Sequence, residues 1–519
     1  MKKNHSRTIK TIDLRFKVSI IILIYFTIYN TVLSQNIPQI QPNSNIDYPS
    51  FINKEVNYFE YKNKKIIETL INKWNNGNSR FVIAHFGDSH VQPDYFTGTV
   101  RDKLQKIKGN AGRGMIFPYS LAKTYSQHDY TSSYKGNWNT ANSIQIPPRL
   151  PVGLSGFTGH TKERNASFTI TSKKLLSKGK KIVKIYCETT GNNYSLKVQS
   201  GNDTCLIKLD TISTKKPYIQ ITLNNIDTNI TFTINKSNTN DNVFILYGIV
   251  IENPSDGVLY HNLGVGGACF SGLLYQKKFE NEFPSLNSDL VVCDWGGNDF
   301  MYKNSVEPEL EHTMIKTIKK IRNSSPNSVI LLTSAQDINK KGKNITAAKQ
   351  YAKLARKVAM ENDCLFYDWF VVSGGGKSMD LWHENNIASK DNVHLNVKGY
   401  KLKGELFAEA FLKSVNQQLL RDSLLFKHDK YYLQDSINQI IKIDSSKQAL
   451  DQNLTKIKEI KTTQGYKNTK RNIIHKVKKG ETLRSIGLKY KVSLSDLKKW
   501  NSLKSDKINI GKKIIVKIK

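Results

Sequence analysis

Ser89 closes the run Gly87-Asp88-Ser89 directly behind the apolar stretch 80–86, and His394 closes Asp391-Asn392-Val393-His394 far downstream. A serine hydroxyl is a poor nucleophile at neutral pH; it needs a base within hydrogen-bond reach and a group that fixes that base. Ser89 can be the nucleophile and His394 the base, with Asp391 reaching back across one turn to the imidazole. A tetrahedral intermediate also needs donors aimed at its oxygen. The candidates are the backbone N–H groups of Ser89 and Gly267 and the side-chain amide of Asn298. Gly267 lies in Asn262-Leu263-Gly264-Val265-Gly266-Gly267-Ala268, where Gly264 and Gly266 compete for the same role, and Asn298 lies in Gly296-Gly297-Asn298-Asp299. Glycine at 267 would let the backbone approach an oxygen with no Cβ in the way. The chemistry open to this set is acyl transfer through a serine ester.

Each motif sits beside an element able to position it. The stretch 80–86 reads as a short buried strand, preceded by helical spacing of Ile66, Ile67, Leu70, Ile71 and Trp74. Strands are predicted at 289–294, 328–333 and 364–370, and helices at 272–282, 306–322, 345–362 and 397–415. Alternation of this kind argues for a parallel sheet covered by helices on both faces, which exposes side chains at its carboxyl edge. Between the two halves, 140–253 changes character. Segments 167–171, 182–186, 194–198, 218–222 and 229–234 alternate polar with apolar residues and are joined by Asn, Gly and Asp turns. This predicts an inserted β-sandwich. The organisation expected is a signal peptide at 1–34, a leader at 35–58, an α/β domain in two parts at 59–139 and 254–420 around the insert, a linker at 421–473 and a compact strand-helix-helix-strand module at 474–519.

The chain has 519 residues, 39% of them hydrophobic, which is globular composition and excludes a collagen-like, wholly disordered or polytopic membrane chain. Lys+Arg number 78 against 43 Asp+Glu, a formal charge of +35. The cations are spread over every region with no single arginine-rich stripe, so an anionic polymer or surface fits better than nucleic acid. Six basic residues precede the apolar run 18–33, with Val32 and Ser34 before a cleavage point at Gln35; this is signal-peptide anatomy and predicts export. An uncleaved anchor would want about 20 uninterrupted apolar residues, and Thr27, Asn30 and Thr31 break this run. Five cysteines without C-x-x-C spacing make neither a zinc site nor a dense disulfide framework, although Cys187 and Cys205 lie in neighbouring strand-like stretches and could pair.

Taken in order, Gly-Asp-Ser, the glycine block, Gly-x-Asn-Asp and Asp-x-x-His resemble the SGNH (GDSL) hydrolase superfamily over about residues 80–135 and 255–415. The resemblance implies an esterase whose signature residues are Ser89, Gly267, Asn298 and His394, with no cofactor. Two-metal phosphoesterases share superficially similar blocks, but their Gly-Asp-x-x-Asp and Gly-Asn-His runs are absent here. The insert, placed between the serine and glycine blocks, is similar to the arrangement in peptidoglycan O-acetylesterases of Gram-negative bacteria, where it is carbohydrate-binding-like.

At the end of the chain, His475-Lys-Val-Lys-Lys-Gly480-Glu-Thr-Leu483, Trp500-Asn501 and Ile508-x-x-Gly511-x-x-Ile514 resemble a LysM domain. Such modules bind N-acetylglucosamine-containing glycans, mainly peptidoglycan and chitin. The resemblance implies a groove near Gly480, Thr482, Leu483, Lys504 and Ile508. The joint expectation is an exported, periplasmic or secreted, wall-associated serine esterase that removes O-acetyl groups from cell-wall glycan, most simply peptidoglycan, with no stable membrane span after cleavage. An esterase for other acetylated polysaccharides, an acetyltransferase and a non-catalytic wall-binding protein remain as alternatives. The transferase would need an acyl supply for which the chain has no membrane-spanning domain, and a decayed hydrolase would be expected to have lost one of Ser89, Asp391 or His394.

Overall fold

The computed structural model describes residues 48–76, 79–173, 179–191, 194–209, 216–237, 242–416 and 472–517. The expected signal peptide, most of the leader and nearly all of the linker lie outside these residues. Chain contacts divide the protein into two units, one ending at Asp429 and one beginning at Lys430. No helix among the described residues is long and apolar enough to cross a membrane.

In the first unit five strands, β1 (Phe81–Gly87), β2 (Val258–Gly264), β3 (Leu290–Asp294), β4 (Val329–Thr333) and β5 (Leu365–Tyr367), form a parallel sheet in the order β2-β1-β3-β4-β5. The order reverses between β1 and β3, and doubly wound sheets hold ligands at the carboxyl end of such a switch point. The strands read as near-continuous apolar runs because helices cover both faces. Alternate side chains of β1 go to opposite sides: Phe81 and His85 meet the helix α5 (Val397–Val415) through Phe411 and Phe407, whereas Phe86 packs on Phe279, Phe283 and Trp295. The helix α1 (Lys64–Asn75) shares the first face, placing Trp74 edge-on to both Phe81 and Phe411.

Two predicted elements end differently. The helix expected at 272–282 is two short ones, Phe270–Leu274 and Phe279–Glu282, because the N–H of Lys278 turns out of the helix to bond the Val152 carbonyl of the insert (3.2 Å). The strand expected to reach 370 stops at Tyr367, and the Asp368 carboxylate caps a short helix, Trp369–Val372, by accepting from Val371 N–H.

The insert is a sandwich of two antiparallel sheets. One runs Ile219–Leu223, Lys181–Thr189, Phe244–Glu252, Phe157–Thr161, Asn139–Asn142, with Gly112–Ile116 also paired to Phe244–Glu252. The other runs Tyr130–Lys135, Asn165–Ser172, Asn229–Lys236, Tyr194–Ser200, Asp203–Lys208. Strands before residue 140 therefore belong to these sheets, earlier than the alternation signal began. Trp138 bridges the layers, edge-on to Phe168 of one and Phe244 of the other. Cys187 and Cys205 fall on different sheets, and all five cysteines are free thiols.

The second unit pairs Ile473–Lys476 with Lys513–Lys517 antiparallel, with helices Leu483–Tyr490 and Leu494–Trp500 between them. Val477, Leu483, Ile486, Leu497, Ile514 and Val516 form its core. Asn501 ties the second helix to the last strand, donating to Ile515 O (2.8 Å) and accepting from Ile515 N–H (2.6 Å). Gly487 fits because a Cβ there would stand 2.8 Å from the Val492 carbonyl oxygen.

Phe411 is fully buried against Phe59, Trp74 and Phe81. Phe411→Ala should cost about 3–5 kcal/mol of first-unit stability, read as a lower urea midpoint; a loss under about 1 kcal/mol would mean the cluster does not anchor α5.

Candidate functional site

Gly87, the last residue of β1, touches both the next turn and the next strand: a side chain there would collide with Val91 and the Asp294 carbonyl. This close passage throws Ser89 outward at the carboxyl edge of the sheet, one turn before the helix α2 (Tyr95–Lys108). On the far side of the edge, Asn396 caps α5 by accepting from Gly399 N–H (3.1 Å). His394 stands just before this cap, between the buried anchors Val393 and Leu395. Asp391 Oδ1 accepts the N–H groups of Val393 (3.1 Å) and His394 (3.0 Å), so the loop is folded around the carboxylate.

These two corners bring the predicted residues into line. Ser89 Oγ lies 2.8 Å from His394 Nε2, and His394 Nδ1 lies 2.6 Å from Asp391 Oδ2. With its proton on Nδ1, the imidazole presents Nε2 as an acceptor to the hydroxyl. Partial burial opposes the charge on Asp391, but the hydrogen bonds from His394 and the two backbone N–H groups outweigh it and hold the carboxyl below its ordinary pKa. The carboxylate is half exposed, so the line opens to solvent along one side.

Two of the three N–H groups in the glycine block are already engaged. Gly264 N–H is taken by Asn262 Oδ1 (3.0 Å) and Gly266 N–H by Gln92 Oε1 (2.6 Å). Gly267, at φ +88°, a conformation that favours glycine, has no acceptor for its N–H among the described residues, and neither has Ser89. Asn298 follows β3 at the start of a short helix; its Nδ2 donates to Ala268 O (3.1 Å) and reaches Asp88 Oδ2 at 3.4 Å. Two backbone N–H groups without acceptors, those of Ser89 and Gly267, and the Asn298 amide beside Asp88 are thus the donors available at this edge of the sheet.

Residues whose role the motifs left open have structural partners. Gln92 holds the glycine turn and Tyr125 O (2.8 Å) rather than facing the cleft. Asp94 is buried, paired with Arg101 (2.8 Å) and Arg113 (3.1 Å), and its carboxylate makes no backbone cap. His90 packs its ring 5.0 Å from that of His394 and lies 3.0 Å from the Tyr400 hydroxyl; burial, then the neighbouring His394, hold it well below its ordinary pKa. His85 is buried between Tyr260 and Asp294, and Trp295 packs against Phe86 and Phe270. Sequence reasoning missed the carboxyls of Asp88 and Asp299. Burial pushes each up to about 7, against a backbone hydrogen bond from His90 or Phe270 respectively. Only their proximity in the folded chain, on either side of Asn298, gives this away.

In the C-terminal module, Gly480 and Lys504 are exposed, and Thr482 forms a reciprocal cap with Ser485. Ile508 packs against the core, and the Leu483 side chain is wholly inside it, so Leu483 has only backbone to offer a groove.

Two regions of the chain are similar to known protein families. Residues 249–402 match the GDSL-like lipase/acylhydrolase family and residues 475–517 the LysM domain. A peptidoglycan O-acetylesterase of known structure is similar with a TM-score of 0.55 and 24% identity, over 70% of this chain and 98% of that one, which shows a shared fold. Two curated probable N-acetylmuramidases of Lactococcus lactis subsp. cremoris, one from strain MG1363, are 54% identical over 41 residues, 8% of this chain; the chain spans only 9% of their length. The chain thus carries one region similar to the GDSL-like lipase/acylhydrolase family and one similar to the LysM domain.

Asp299 Oδ2 is buried with no hydrogen-bond partner among the described residues. Its carboxyl, raised to about 7 in the fold by burial, carries no charge penalty while protonated and destabilises as pH rises from about 4 through 7. Asp299→Asn should therefore raise stability at pH 8 by about 2–4 kcal/mol and change little at pH 4. Thermal melts at the two pH values check this, and an equal shift at both would refute the burial of the charge.

Proposed function

We propose that the protein is an exported serine esterase that removes O-acetyl groups from cell-wall glycan, with peptidoglycan as substrate, and that its LysM domain holds it to the wall. The observation that carries the reading is the Ser89–His394–Asp391 line beside the free N–H groups of Ser89 and Gly267. Ser89 Oγ attacks the acetyl carbonyl carbon while His394 Nε2 takes the hydroxyl proton. The oxygen, now negative, is met by the N–H groups of Ser89 and Gly267 and by Asn298, which exchanges its longer contact to Asp88 for the oxyanion. Collapse breaks the bond to the sugar oxygen, which leaves as a hydroxyl with the proton from His394. Water, deprotonated by His394, then attacks the acetyl-Ser89 ester and releases acetate and the serine. Asp391 keeps the imidazole in the productive tautomer and stabilises its cation.

The wall assignment draws on the LysM domain, on the likeness to a peptidoglycan O-acetylesterase and on the basic charge of the chain, which suits a polymer bearing acidic peptides. Within this reading residues 1–34 are the export signal, the insert is a carbohydrate-binding-like sandwich, and the loops near Gly480 and Lys504 contact N-acetylglucosamine.

Incubation of the mature protein with O-acetylated peptidoglycan should release acetate. Ser89→Ala should abolish release while still sedimenting with wall sacculi, and Asp391→Asn should lower kcat about 10³–10⁴-fold. Acetate release by Ser89→Ala would remove the nucleophile assignment. Activity on a soluble acetyl ester without activity on peptidoglycan would keep the esterase and remove the substrate.

A further inference from the structure

The loop leaving the insert strand Asn139–Asn142 runs onto the glycine turn of the site. Ser143 is buried there and its N–H bonds the Gly156 carbonyl (3.0 Å). A side chain at Gly156 would collide with Val265, and a Cβ at Gly272 would stand 2.7 Å from the Ser143 carbonyl oxygen. The loop is therefore packed closely at both ends, Gly156 against the Val265 side chain of the turn and the Ser143 backbone against Gly272 in the helix that follows it. Between these fixed points Ile144 is laid over Gly267: a Cβ on Gly267 would lie 3.4 Å from Ile144 Cδ1 and 3.8 Å from Cγ2. Beside it, the Tyr125 hydroxyl would lie 2.5 Å from a Cβ on Gly266 and has no hydrogen-bond partner among the described residues. Ile144 is 45% exposed and Tyr125 47%.

A half-exposed isoleucine on a surface ordinarily needs no explanation. This one stands against the backbone whose N–H is free to receive a carbonyl oxygen. When an ester carbonyl points its oxygen at Gly267, either its acyl group or its sugar oxygen lies on the side that Ile144 borders, and an apolar side chain suits the acyl group. A β-branched side chain has few χ1 choices, and a loop pinned on both sides holds it in one position. We propose that Ile144 sets the length of the acyl group, admitting acetyl and crowding longer chains, with Tyr125 bounding the same pocket. The insert then completes the active site as well as any glycan contact it makes. This inference rests on the serine-esterase reading.

The test compares kcat/KM for p-nitrophenyl acetate and p-nitrophenyl butyrate in the full-length protein and in Ile144→Ala and Ile144→Phe, with melting temperatures to show that the variants fold. The wild type should prefer acetate. Ile144→Ala should raise the butyrate-to-acetate ratio roughly tenfold, the scale on which an apolar pocket discriminates chain length, and Ile144→Phe should lower it. Ratios unchanged in both folded variants would overturn the inference while leaving the esterase standing, as would a wild type that takes butyrate as readily as acetate. Hydrolysis of neither ester by the wild type would overturn both.

Discussion

One buried carboxylate couples the elements that carry Ser89, Asn298 and His394. Asp294, at the end of β3, faces Lys403 of α5 at 3.3 Å and His85 of β1 at 3.4 Å, and accepts the Thr333 hydroxyl of β4 at 2.5 Å. Burial opposes its charge, and Lys403 with the two hydrogen bonds outweighs that cost and holds the carboxyl well below its ordinary pKa. Ser89 follows His85, Asn298 follows Asp294, and His394 precedes Lys403, so the same cluster joins the supports of all three. A buried ion pair is weak evidence for stability, but stranding one of its charges is strongly unfavourable. A one-residue slip of β1 would carry His85 to the other face of the sheet, and a shift of α5 would leave Asp294 unpaired. Register and helix placement are thereby tied to the geometry of a site they do not touch.

The site above this cluster is built from loops of unequal exposure, and the inequality has a chemical use. Ser89, the glycine turn and Asn298 sit on backbone fixed by buried contacts, which suits donors that must be in place before charge develops. Asp391 and His394 lie at the rim, on a loop wrapped around the aspartate's own carboxylate. Protons can leave and water can enter on that side without opening the sheet edge. Asp88 and Asp299, flanking Asn298, are pushed by burial up to about 7, whereas Asp391 is held below its ordinary value and is already charged at lower pH. Below about pH 7 negative charge is thus concentrated behind the imidazole, and above it Asp88 and Asp299 ionise and that separation is lost.

Much of this was legible in the residues. The strand before Ser89, the helix at 397–415 and the order of the four motifs follow from apolar runs, caps and turn residues, which are local signals. What the sequence left open was decided by contacts distant along the chain. The three glycines of the turn look alike in sequence, and only in the fold do Asn262 and Gln92 occupy the N–H groups of Gly264 and Gly266 and leave that of Gly267 without an acceptor among the described residues. The helix expected at 272–282 has the right apolar spacing and yields to a carbonyl from the insert. Phe244–Glu252 escaped because it is central in its sheet, buried along nearly its whole length, and so lacks the alternation that marks a half-exposed strand. Leu483 was read as a groove residue from its motif, whereas its side chain fills the core of a module too small to spare it.

The position of the insert follows from the same economy of backbone pairing. The sheet needs β1 and β2 side by side in parallel, register Phe81 to Val258, although more than a hundred residues separate them. Extending a loop costs little once it is long, since closure entropy grows only logarithmically; what matters is that its two ends return together. Here they do: Gly112–Ile116, as the chain enters the sandwich, pairs antiparallel with Phe244–Glu252, as it leaves. At the neck, Asn253 N–H bonds Ala111 O at 2.8 Å, while the Asn253 amide and the Ser255 hydroxyl both donate to Asn110 O at 2.9 Å. The departing and returning strands thus close the insert on itself and hand β2 to the sheet edge already aligned. That closure lets a whole sandwich sit between Ser89 and the glycine turn without loosening either, and it is why loops from the insert can press on the turn at Val265 and Gly267 as fixed structure.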